Sequence, residues 1–176
     1  MMKQSLSLLC AFFLLLGACS THKNTPAFSA SDISRQSPQM AQLAIYYPPS
    51  FFWSDKSANV SAVTKSDECA LKAGTFFIRD ITPAAKTRIA ASPCGMPGVV
   101  SELSIKTAAG MTYYIRISPN DETLTGRLGT AGLAKPKEKL NYSGPFRIDI
   151  MGEASALKEM KHLHRCEACM MQDTTP

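Results

Sequence analysis

Apolar residues fall into three regimes along this chain: a dense run near the start, alternation with polar residues through the middle, and helical spacing near the end. The first run, Leu6 to Leu16 with Ser7 its one polar residue, has about a dozen residues against the roughly 20 needed to cross a bilayer as a helix. Residues 20–42 are rich in Ser, Thr, Asn, Gln and Ala, with Pro26 and Pro38. They carry too little apolar surface to offset chain entropy, which predicts a flexible tether. Leu43-Ala44-Ile45-Tyr46-Tyr47 is the first expected strand, and Pro48-Pro49 stops it. From Gly74 the pattern is extended: Thr75 to Ile81 is β-branched and aromatic, and Lys86 to Ala91 alternates.

After the tight connection Cys94 to Gly98, the segment Val99 to Thr107 sets Leu103, Ile105 and Thr107 against Glu102, Ser104 and Lys106, the mark of a half-buried strand. Met111 to Ser118 follows, with Tyr113, Ile115 and Ile117 on one face and Tyr114 and Arg116 on the other. Residues 107–110 are short enough to join these two strands as a hairpin. Pro119-Asn120-Asp121 marks the next turn. Strands are expected at Thr123–Leu128 and Phe146–Met151, separated by a long loop over 129–145. Beyond Gly152 the residues Ala154, Leu157, Met160 and Leu163 recur every three positions, which predicts a short amphipathic helix with its stripe against a sheet. The whole pattern reads as mainly β: a small sandwich with one C-terminal helix.

The N-terminal run changes this picture most. Lys3 supplies a positive charge ahead of it, and Leu16-Gly17-Ala18-Cys19 closes it. These residues resemble the lipobox of bacterial lipoproteins, in which the cysteine receives a thioether-linked diacylglycerol and cleavage falls just before it. The resemblance implies a signal peptide over residues 1–18, a lipid on Cys19, a tether over 19–42 and a working domain over 43–176. Ser20 follows the modified cysteine, and the lack of Asp there resembles lipoproteins sorted to the outer membrane, with the domain in the periplasm.

Cleavage would leave 158 residues and lower the formal net charge from +5 to +4. That length suits one domain with a real core. The charge is mild, and the one basic cluster, Lys135, Lys137 and Lys139, reads as a solvated loop, so no nucleic-acid partner is expected. Of six cysteines, Cys10 would leave with the signal and Cys19 would carry lipid. Cys69, Cys94, Cys166 and Cys169 remain, an even set that suggests two disulfides in an exported protein. Pairing Cys69 with Cys94 and Cys166 with Cys169 is the nearest-neighbour choice, and two crossed arrangements satisfy the count equally.

The stretch Ala109-Gly110-Met111-Thr112-Tyr113-Tyr114-Ile115-Arg116-Ile117 resembles a line in small bacterial lipoproteins of the DUF2846-like type. The sharp part is Gly110–Arg116, matching a Gly-x-Thr-Tyr-Tyr-x-Arg pattern; the looser likeness spans residues 43–163. The resemblance implies a single immunoglobulin-like β-sandwich ending in an Ala/Leu-rich helix, and it brings no catalytic residues. A Pro-Gly-x-His turn of that family is missing here, and four cysteines and the 129–145 loop are added.

Candidate chemistry is sparse. His162, His164, Cys166 and Cys169 lie within eight residues, and could in principle hold zinc or copper. Cys166-Glu167-Ala168-Cys169 could also be a redox pair. Against metal, the two histidines would diverge by about 200° on a helix, and a dithiol in an exported protein tends to oxidise; against redox, the pair follows the amphipathic stripe instead of opening a helix that leaves a strand. A structural disulfide is the preferred reading, with a metal-binding or thiol-redox module as the alternative. No nucleophile elbow surrounds a serine, and neither Gly126-Arg127-Leu128-Gly129 nor Gly129-Thr130-Ala131-Gly132 continues as a phosphate loop. No cofactor is expected. Phe51, Phe52 and Trp53, with Tyr114 and Arg116, are the candidates for contact with a partner. The expectation is a non-enzymatic outer-membrane lipoprotein with a structural role in an envelope assembly such as a secretion, pilus or motility machine. Its partner would be an envelope protein or a second copy of itself.

Overall fold

A computed structural model describes residues 26–33, 37–49, 57–62, 68–94, 99–120, 144–166 and Cys169. Within them the chain forms nine strands and one α-helix. The strands are β1 (Ala41–Tyr47), β2 (Ser57–Ala62), β3 (Cys69–Lys72), β4 (Thr75–Ile81), β5 (Thr87–Pro93), β6 (Ser101–Ile105), β7 (Thr112–Pro119), β8 (Phe146–Met151) and β9 (His164–Arg165). Helix α1 (Glu153–Met160) lies between β8 and β9, and a 3-10 turn (Ala30–Asp32) precedes β1. One sheet has the order β8-β7-β1-β4-β9, the other β3-β2-β5-β6. The protein is thus a mainly-β domain of two sheets with one helix near its C-terminal end.

Strand β1 explains this layering. Its sequence Ala-Gln-Leu-Ala-Ile-Tyr-Tyr is apolar at nearly every position, and all seven residues are buried. Period-two geometry sends alternate side chains to opposite faces, so such a strand must be covered on both. Ala41, Leu43, Ile45 and Tyr47 belong to the core between the sheets. Ala44 and Tyr46 belong to a second core with Ala156, Met160 and Leu163, on the helix side. Neighbouring strands divide in the same way: Phe77 of β4 and Ile115 of β7 join the first core, Phe76 and Tyr114 the second. The other sheet contributes Ala58, Val60 and Ala62 from β2, Leu71 from β3, and Ile89 and Ala91 from β5. Its alanines leave room for the larger side chains opposite, which is how close packing is reached in a small core.

Several expected elements are present and several are corrected. Strands over 75–81 and 146–151 fall where the pattern puts them, and the first strand begins two residues earlier, at Ala41. The expected hairpin at 107–110 is absent: β6 and β7 lie in different sheets. β7 runs parallel to β1 and antiparallel to β8 instead. The connection is held elsewhere. Thr107 N donates to Ala84 O at 2.9 Å, and its hydroxyl lies 2.9 Å from that of Thr87. Gly110, at φ +74°, donates its N–H to Met40 O at 2.9 Å, a backbone conformation that favours glycine. Alternation shows which face of a strand is buried but not which strand it pairs with.

The helix is also rotated from its expected face. Ala156 and Met160 are buried and Leu157 partly so, whereas Ala154 is exposed. Steps of three residues fall about 60° short of a full turn each time, so Ala154 stands roughly 120° from Met160. Within the stretch read as a tether, residues 26–33 are docked on the domain. Phe28 N donates to Leu163 O and Arg165 N to Pro26 O. The Phe28 ring meets Phe76 edge-on at 5.3 Å, and Arg165 pairs with Asp32. Apolar residues spaced too sparsely for an element can still anchor a segment to a neighbouring face. The signal, Cys19, Phe51, Phe52, Trp53, the 123–128 strand and the lysines at 135–139 lie outside the described residues.

These burials predict a sharp contrast on α1. Met160→Ala should lower unfolding stability by about 2–5 kcal/mol, as for other deletions of buried side chains. Ala154→Glu should stay within about 0.5 kcal/mol of wild type, as exposed substitutions do. Urea unfolding followed by circular dichroism distinguishes the two, and equal losses would put the helix face elsewhere.

Candidate functional site

Two groupings of reactive or charged side chains stand out, one on each side of the five-stranded sheet's interior. The first is made of sulfur. Cys69 opens β3, the edge strand of the smaller sheet, with its side chain in the core. Cys169 follows β9, which is the edge strand of the larger sheet. The two form a disulfide with Cα atoms 5.0 Å apart, closing a sequence separation of 100 residues. The bridge therefore ties the edges of the two sheets together. Cys166 is a buried thiol beside it, its Sγ 3.2 Å from that of Cys169. Its backbone N–H donates to Phe76 O at 2.8 Å, continuing the run of β9 along β4.

This corrects the cysteine arithmetic. One disulfide and two thiols replace two disulfides, and the bridge is one of the long-range pairings. The register excludes Cys69–Cys94. Cys69 stands opposite Val60 on one side of β2, while Pro93, just before Cys94, stands opposite Ala58 on the other. Crossing β2 takes two strand spacings, about 9–10 Å, beyond the roughly 7 Å that a disulfide spans between Cα atoms. Cys94 is exposed, and its thiol donates to Asn59 Oδ1 at 2.8 Å. Partial burial, with the nearby Glu68 charge adding to it, pushes that thiol above its ordinary range.

The histidines do not join the sulfur. His162 is exposed just past α1, and His164 is exposed on β9. Cys169, one of the four alternative metal ligands, is bonded to Cys69. Among the described residues no group of three or more His, Cys, Asp or Glu side chains is placed to hold a metal ion.

The second grouping lies between the sheet and α1. Arg116 on β7 faces Asp149 on β8 directly across the antiparallel pair. One guanidinium nitrogen donates to Asp149 Oδ2 at 2.9 Å and the other to Glu159 Oε1 at 3.3 Å. Tyr46 donates its hydroxyl to Glu159 Oε2 at 3.1 Å, and Arg147 Nε donates to Asp149 Oδ1 at 2.8 Å. Tyr114 reaches Glu153 at the start of α1, 3.5 Å away. Asp149 is the carboxylate that answers Arg116 across the sheet. Of the two partner-contact candidates on β7, Tyr114 is covered by α1 and Arg116 is half-buried within the network. Tyr46, Asp149 and Glu159 complete a group that sequence reading left incomplete. The available signal was Arg116 itself, since a cation amid buried strand residues requires anionic partners.

The electrostatics follow from this crowding. Burial raises the Tyr46 hydroxyl well above its ordinary value, and the hydrogen bond to Glu159 adds to it, so Tyr46 remains a donor. For Asp149, burial works to raise the carboxyl, but hydrogen bonds and charge from Arg116 and Arg147 together outweigh it and hold it below the ordinary range. The arrangement pins α1 to the sheet through Glu159 and Glu153. No protein-family model, curated protein or solved structure matches the chain.

Two outcomes test these groupings. Arg116→Met should cost about 1–3 kcal/mol at neutral pH, since two half-buried carboxylates lose charged donors. Asp149 sits lower folded than unfolded, so its pairing contributes in full above the unfolded value near 3.9 and is lost as pH falls through the folded one. The deficit of Arg116→Met should therefore shrink in acid, which denaturant titrations across pH would show; a constant deficit would rule out the ionic account. Separately, Cys69→Ser should lose about 2–4 kcal/mol with the long loop closure, read by urea unfolding against the untreated wild type.

Proposed function

We propose that this chain is an exported lipoprotein, held to the outer membrane by a lipid on Cys19, whose periplasmic β-sandwich has a non-enzymatic structural role in an envelope assembly. The observation that carries the reading is the Cys69–Cys169 disulfide, because such bridges persist in oxidising compartments outside the cytosol. It agrees with the export signal read from Lys3, Leu6–Leu16 and the Leu16–Cys19 lipobox. A scaffold role is supported by how the charged side chains are used: Arg116, Asp149 and Glu159 are turned on one another to fasten α1. The partner is an envelope protein or a second copy of the chain, in a machine of the secretion, pilus or motility kind, with Phe51, Phe52 and Trp53 as contact candidates.

The sandwich is further assigned to the immunoglobulin-like group, through the resemblance of Gly110–Arg116 to DUF2846-like lipoproteins. Two sheets around one core support that assignment. The parallel β1–β7 pair at the centre of the larger sheet and the short parallel β4–β9 pair at its edge are this chain's departures from purely antiparallel sheets.

Metabolic labelling with palmitate tests the anchor. The wild type should take up label and fractionate with membranes, while Cys19→Ser should remain unlabelled and uncleaved. An unlabelled, soluble wild type would refute the anchor. Crosslinking in intact envelopes should give a reproducible larger adduct, and recovery of monomer alone would sink the assembly role.

A further inference from the structure

The three buried sulfurs form a chemical arrangement that the scaffold role does not require. Cys69, Cys169 and Cys166 are 3%, 2% and 6% exposed, so external thiols and oxidants have little access to them. The thiol with access to the Cys69–Cys169 bond is therefore internal: Cys166, whose Sγ lies 3.2 Å from that of Cys169. Its backbone is fixed by the Cys166 N–H to Phe76 O bond, so the sulfur is held in place beside the bridge. Its Sγ also lies 3.5 Å from Ala70 O, an acceptor on the strand that carries Cys69.

We infer that Cys166 is the nucleophile of an internal thiol–disulfide exchange that interconverts a Cys69–Cys169 bridge and a Cys166–Cys169 bridge. Cys166 gives up its proton and its thiolate attacks Cys169 Sγ. A Cys166–Cys169 bond forms as the Cys69–Cys169 bond breaks. The electron pair leaves with the Cys69 sulfur, which takes up a proton. One disulfide and one thiol stand on each side, so no oxidant or reductant is consumed. The product bridge is of the Cys-x-x-Cys type, a spacing known to form disulfides. Its consequence is mechanical. A bridge across 100 residues becomes a local one, and the edge strand β3 is freed from the C-terminal segment while β9 keeps its hydrogen bonds to β4. This inference shares the disulfide with the proposed export but does not need the Cys19 anchor, so thiol mapping and palmitate labelling can fail separately.

The test maps thiols in the full mature protein carrying Cys94→Ser, which removes the exposed thiol. Protein purified without reductant and held in acid is shifted to mildly alkaline buffer, where thiolate forms. Samples are then acid-quenched, unfolded in acid, alkylated and mapped by peptide mass spectrometry. The expected result is a several-fold rise of label on Cys69, matched mole for mole by loss from Cys166, with total thiol constant. With Cys166→Ser added, Cys69 should stay at baseline. Cys69→Ser supplies the reference isomer, joined through Cys166–Cys169. Label confined to Cys166 at all times, or confined to Cys69 at all times, would overturn the exchange. So would a fall in total thiol, which would mean oxidation, or an equal rise on Cys69 when Cys166 is serine.

Discussion

The structure depends on a single strand that water cannot reach from either side. β1 is buried along its whole length, and its two faces need covers of different kinds. On one face the four-stranded sheet supplies a flat surface with alanines at Ala58, Ala62 and Ala91. On the other, α1 and the docked segment around Phe28 supply a narrow one. Full burial of one large apolar side chain contributes roughly 1.5–3 kcal/mol. Leaving either face bare would expose several at once. The sandwich, the helix and the N-terminal turn are thus answers to one constraint, and none is an independent addition.

The helix covers that second face across a row of charge. Met160, Ala156 and Leu163 supply the apolar contact. Beside them Arg116, a cation on the strand next to β1, must be answered because it is half-buried. Asp149 answers from within the sheet and Glu159 from the helix, so the guanidinium links the two layers. Apolar packing supplies most of the stability, and the ionic network fixes where along the sheet the helix sits. A helix shifted by one turn could still bury methionine and leucine, but it would strand Arg116 and the Tyr46 hydroxyl without Glu159.

What could be read in advance divides along the same physical line. Strands β4 and β8 and the two faces of β7 were legible because alternation and β-branched composition act within a single segment. β2 was not, since Ser-Ala-Asn-Val-Ser-Ala has only one large apolar residue and becomes a strand through its neighbours. β3 and β9, of four and two residues, are too short to carry a pattern. The crossing from β6 to β7 was missed because its determinants, Thr87, Ala84 and Met40, are distant in sequence. Arg116 announced the need for a carboxylate, yet only the fold could bring Glu159 to it from 43 residues away. The cysteine pairing was open for the same reason: a count fixes parity, and only register brings residues 69 and 169 together.

The two sides of the sandwich are closed by different means, and their geometry explains why. At one side β6 and β8 approach each other closely. Ser101 Oγ accepts from Phe146 N at 2.9 Å, and a Cβ on Gly144 would fall 2.1 Å from that same oxygen. Only glycine permits so close an approach, so backbone contact closes that side. At the other side the edge strands are β3 and β9, whose backbone ladders are the shortest in their sheets. Few hydrogen bonds hold them, and fraying begins where ladders are short. The disulfide stands at that weaker side, where a covalent constraint has the most to prevent. Placing a third sulfur beside it makes the one covalent closure among the described residues also the one that can be exchanged, so release at that side can occur while the doubly covered centre of the larger sheet stays intact.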